Sequence, residues 1–105
     1  MLSNNKVQEV TLISATNKVD NSNDDERLYD ISANVTSTVA TVNDINSGAV
    51  CEKGTGNPIA NFNESAGGYS NISFNGNHDT ATKRAISNAV YGFIDDVKEM
   101  YANPQ

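Results

Sequence analysis

The sequence predicts an α+β protein: an antiparallel β-meander of about four to five strands packed against one C-terminal amphipathic helix. Three observations predict it. Valine and isoleucine together number 16, whereas leucine occurs only at Leu2, Leu12 and Leu28; β-branched side chains favour a pleated surface over a helix. Apolar and polar residues alternate over residues 28–42, as in a strand with one buried and one wet face. Beyond Ile86 the apolar period changes to three and four, which is helical. A chain of 105 residues has the size of one domain, so residues 1–105 are expected to form a single α+β unit.

Taken in order, Lys6 to Lys18 contains Val10-Thr11-Leu12, which alternates and then slips at Ile13. A strand with a bulge fits. Residues 20–26, Asp-Asn-Ser-Asn-Asp-Asp-Glu, read as a solvated turn. In the long alternating segment, Tyr29, Ile31, Ala33, Val35, Ser37, Val39 and Thr41 share one parity, which is mostly apolar, and Leu28, Asp30, Ser32, Asn34, Thr36, Thr38, Ala40 and Val42 the other, which is mostly polar. Asn43-Asp44-Ile45-Asn46-Ser47-Gly48 is expected to end that strand, and Ala49 to Lys53 to form a short one. Gly54-Thr55-Gly56-Asn57-Pro58 reads as a turn before a strand at Ile59 to Asn63, with Phe62 as its core anchor. After Ala66-Gly67-Gly68, a last strand runs from Tyr69 to Asn75. In the helix, Ile86, Ala89, Val90, Phe93, Val97, Met100 and Tyr101 fall within an arc of about 120°. Asp79 or Thr80 is placed to cap its start, and Asn103-Pro104 to stop it.

Composition removes several functions. The net charge is −6 with seven Lys and Arg, which disfavours nucleic acid and anionic membranes as partners. A single cysteine, Cys51, excludes an internal disulfide framework. No segment approaches the ~18 apolar residues of a membrane span, and residues 1–6 lack the apolar stretch of a signal peptide. The three Asn-x-Ser/Thr sequons, at Asn34, Asn63 and Asn71, are what 16 Asn and 18 Ser or Thr produce by chance. The acidic turn fits no EF-hand register: starting from Asp20, position 6 is Asp25 rather than Gly and position 12 is Ile31 rather than Glu. The lone Gly54-Thr55-Gly56 lacks the third glycine and the following helix of a phosphate loop. Cys51 and His78 are the only thiol and imidazole, and nothing in their spacing pairs them as nucleophile and base. Asp95 and Asp96, adjacent on a helix, point about 100° apart and cannot face each other as an acid–base pair. No catalytic, metal or cofactor site is expected.

What remains is surface. The polar parity of the long strand (Ser32, Asn34, Thr36, Thr38) has little protection against pairing with another sheet. On the helix, Ala81, Ala85, Asn88 and Gly92 form a ridge of small residues that another backbone could approach. These eight residues are the candidate interface of a non-enzymatic structural or protein-interaction protein, expected to form a homo-oligomer or to bind another protein. The alternative is a small-molecule or nucleotide-binding module with a pocket between helix and sheet or between subunits; it requires Arg27, Lys83 or Arg84 to face a shared cavity. In composition the chain resembles small bacteriophage or mobile-element structural proteins. With neither a signal-peptide core nor a span-length apolar segment the chain is expected to be cytoplasmic, and the resemblance adds a virion component as the expectation for a phage-derived chain.

Overall fold

The structure, a computed structural model, describes residues 7–13, 16–38, 41–65 and 69–102. Among the described residues six strands form one antiparallel sheet in the order of the chain: β1 (Gln8–Ile13), β2 (Thr16–Asp20), β3 (Tyr29–Thr38), β4 (Thr41–Glu52), β5 (Pro58–Glu64) and β6 (Ser70–Phe74). One helix, α1 (Thr80–Ala102), follows and lies on one face. The α+β meander with a single closing helix is as expected. Each strand pairs with its neighbour in sequence, as short connections favour.

Three boundaries differ from the sequence expectation. The segment read as one strand from Lys6 to Lys18 is a hairpin, with Ile13 opposite Thr16 and a bulge between Glu9 and Thr11. The strand expected over 28–42 ends at Thr38, opposite Thr41; Val39 and Ala40 lie outside the described residues. The turn expected at 43–48 lies inside β4. Between Thr36↔Asp44 and Ser37↔Val42, and again between Ser32↔Ala49 and Asn34↔Asn46, β4 advances one residue more than β3. The second of these irregularities also appears on the β5 side, between Ile45↔Glu64 and Gly48↔Phe62. Ser47 there has φ 53°. The turn-forming residues thus supply bulges, which add a residue and bend the strand without ending it.

The alternation of β3 decides the faces. Ile31, Ala33 and Val35 are buried beneath the helix, together with Val19, Ile45, Val50, Ala60 and Phe62 of neighbouring strands. Against them α1 buries Ile86, Val90, Phe93, Ile94, Val97 and Met100. The Phe62 and Phe93 rings meet edge to face at 6.0 Å, a favoured aromatic geometry. Asp79 caps the helix, its Oδ1 accepting from the Thr82 N–H at 2.7 Å. Tyr101 at the far end accepts from Asn17 of β2, Lys98 pairs with Glu64 of β5, and Lys83 stands over the Phe74 ring of β6. The helix therefore runs obliquely, from β6 at its start to β2 at its end. No helix among the described residues is long and apolar enough to cross a membrane.

Candidate functional site

A six-stranded open sheet has two edges, and here they differ. β1 carries Glu9 and a bulge at Glu9–Thr11; charge and irregular backbone both discourage pairing with a further strand. β6 is Ser70-Asn71-Ile72-Ser73-Phe74, with no charge and no proline. Its register with β5 is unbroken from Ala60↔Phe74 to Glu64↔Ser70. Among the described residues no strand lies on its outer side.

The direction of its backbone groups follows from two hydrogen bonds. Asn75 donates its N–H to Ile59 O at 2.9 Å, and Ser65 donates to Tyr69 O at 2.8 Å. In an antiparallel ladder alternate residues bond to the same neighbour. The backbone groups of Asn71 and Ser73 therefore face β5, and those of Ser70, Ile72 and Phe74 face outward. Here the outward-facing groups lie on the residues whose side chains point to the helix face.

Apolar surface adjoins this edge. Tyr69 is 67% exposed and Tyr91 is 46% exposed. Tyr91 lies beside the strand, its hydroxyl 3.3 Å from Ser70 Oγ. Ile72 and Phe74 are half-buried at the margin of the core. Residues 65–78 contain no Asp, Glu, Lys or Arg, the longest such run in a chain with 13 acidic residues. Acidic groups concentrate elsewhere, in the β2–β3 turn.

That turn is built around two side chains. Buried Asn21 donates to Tyr29 O and accepts from the Ile31 N–H, both at 2.9 Å. Arg27 bonds to Asp30 Oδ1 and to the Asp24 carbonyl. Between this turn and the helix lies a cleft of about 220 Å³, lined among others by Leu28, Tyr29, Ala89, Gly92 and Asp96. It falls below the ~300–1,000 Å³ usual for ligand pockets. Arg27 lines it already paired. Lys83 and Arg84 do not line it, so of the three basic residues named for the binding alternative Arg27 is the one that faces this cleft.

The eight candidate interface residues fall on two surfaces. Ser32, Asn34 and Thr36 share the sheet face away from the helix, where their cross-strand partners are Asp20, Lys18 and Thr16; Thr38 ends β3. Because β3 is the third of six strands, these residues belong to a face and not to an edge. The edge pairing expected of them is unavailable, since β2 and β4 take both sides of β3. Ala81, Asn88 and Gly92 are exposed and Ala85 is half-buried, and Gly92 lies in the cleft. The ridge thus stands clear of the protein's own sheet over most of its length. The edge strand β6 is the element that sequence reasoning passed over. Its signal was present: a strand-length segment within the longest uncharged run.

Cys51 of β4 lies in a shallow hollow with Lys18, Asp20, Asp30 and Ser32, whereas His78 sits before the helix with its Nε2 against Asn75 O at 2.6 Å. His78 is not part of that hollow. Gly54 and Gly56 both have positive φ, 89° and 76°, the conformation for which a hairpin turn uses glycine. Among the described residues no three His, Cys, Asp or Glu side chains gather as a metal site. Comparison with protein families, with curated proteins and with solved structures finds no match to this chain.

Proposed function

We propose that this chain is a non-enzymatic interaction protein that self-associates through the outer edge of β6. The supporting observation is the contrast between the two edges of one sheet. β1 is charged and bulged, whereas β6 is uncharged, regular and bordered by exposed Tyr69 and Tyr91. Strand addition at such an edge draws affinity from main-chain hydrogen bonds and specificity from the flanking side chains. It also needs no pocket and no reactive group. A small chain that pairs with itself in this way suits a dimeric building block of a larger assembly, including a virion.

The test is the mass in solution. Light scattering over low to high micromolar concentration is expected to give a mass above the 11.2 kDa of one chain. Ser73→Lys places a charge beside the edge on the sheet face opposite the helix, where Ser73 is exposed. It is expected to return the mass to that of a monomer with the melting temperature nearly unchanged, since an exposed substitution shifts stability within about 0.5 kcal/mol. A monomeric wild type at every concentration would refute the proposal.

A further inference from the structure

We infer that the strand received by β6 is the β6 of a second copy, antiparallel and centred on Ile72; this rests on the self-association proposed above and specifies its register. The outward backbone groups belong to Ser70, Ile72 and Phe74. A two-fold axis through the centre of the strand sets Ile72 opposite Ile72 of the second copy and Ser70 opposite Phe74. Each outward residue then exchanges both of its backbone bonds with the residue facing it. Centring on Asn71 or Ser73 instead leaves Phe74 or Ser70 facing a position beyond the strand. Only the Ile72 register uses all three outward residues of both copies.

The side chains agree with this register. Opposed residues in an antiparallel pair project to the same face, so the half-buried Ile72 side chains meet on the helix face. Phe74 of the second copy comes beside Ser70, whose hydroxyl already touches Tyr91. The exposed phenol of Tyr91 is thereby covered by Phe74 of the second copy, together with the Lys83 that stands over that ring. A two-fold interface brings identical patches together. For a chain of net charge −6, that favours a strand without acidic groups, and residues 65–78 have none. Both helices end on the same side of one continuous sheet.

The register is read by cysteine cross-linking in a Cys51→Ser background. Opposed residues that share backbone bonds have Cα atoms about 5.5 Å apart, within the roughly 4.4–6.8 Å of a disulfide. Ile72→Cys is expected to give a covalent dimer under mild oxidation: two thiols lose two electrons and two protons to the added oxidant as the S–S bond forms. Ser70→Cys alone and Phe74→Cys alone are expected not to cross-link, whereas a mixture of the two does. The mixture reads the same register without altering Ile72, which is half-buried. A doubled mass by light scattering with neither cross-link would overturn the register and leave the proposed self-association standing. A monomeric mass would overturn both and leave the edge to a strand from a different protein.

Discussion

Asp79 has no burial and still holds a carboxyl below the ordinary 3.8, chiefly because the Thr82 N–H donates to it and next because the Thr82 hydroxyl does. A carboxyl whose folded value is depressed stabilises the fold above its ordinary pKa. That contribution is lost as pH falls through 3.8 and below. Asp79→Ala is therefore expected to lower the melting temperature at neutral pH, with the gap to wild type closing as pH drops below 3.8. Thermal melts from pH 7 to about 3 read this directly, and a gap that stayed constant would contradict the capping role. Gly48 fails differently. A Cβ there would stand 2.5 Å from the Phe62 carbonyl oxygen and 2.7 Å from two carbons of its ring. The ring covers the glycine across the strand pair, so the backbone of β4 or β5 must shift to admit a methyl group. Gly48→Ala is expected to cost about 1–3 kcal/mol, as overpacking does, measured by urea unfolding with an unchanged m-value.

Among the elements, α1 and β3 were legible in the sequence because burial of one side imposes a single period on each. The arc from Ile86 to Tyr101 and the run Ile31, Ala33, Val35 turn towards each other as expected. Ile86, fully buried at the start of that arc, is expected to cost about 2–5 kcal/mol on truncation to Ala; a loss below ~1 kcal/mol in chemical denaturation would mean that the helix is not seated on the sheet as described. β4 was not legible. Asn43, Asp44, Asn46, Ser47 and Gly48 have the composition of a turn, and composition does not separate a turn from two bulges in one strand. The outcome depended on β3 and β5 lying on either side to hold β4 extended through them. The candidate site was less legible still. Whether Ser32, Asn34 and Thr36 lie on a face or an edge depends on strand order, which no local pattern encodes. The alternation that identified the strand says nothing of its neighbours. The segment Ser70–Phe74 could be read as a strand, but it becomes an edge only because nothing pairs beyond it among the described residues.

At the scale of the whole molecule, the meander leaves a sheet whose one face is occupied by α1 and whose two edges carry opposite provisions. Acidic residues cluster in the β2–β3 turn, remote in strand order from the uncharged β6. A chain of this size buries only about two-thirds of the surface its unfolded form exposes, and pairing at β6 adds burial for Tyr69, Ile72 and Tyr91. Amide hydrogen exchange within β6 tests this most directly, because adjacent residues of one strand point their N–H groups in opposite directions. At high micromolar concentration the amides of Ser70, Ile72 and Phe74 are predicted to be protected as strongly as those of Asn71 and Ser73, which bond to β5. Rapid exchange at Ser70, Ile72 and Phe74 alongside protected Asn71 and Ser73 would show an edge open to water and would contradict self-association through β6.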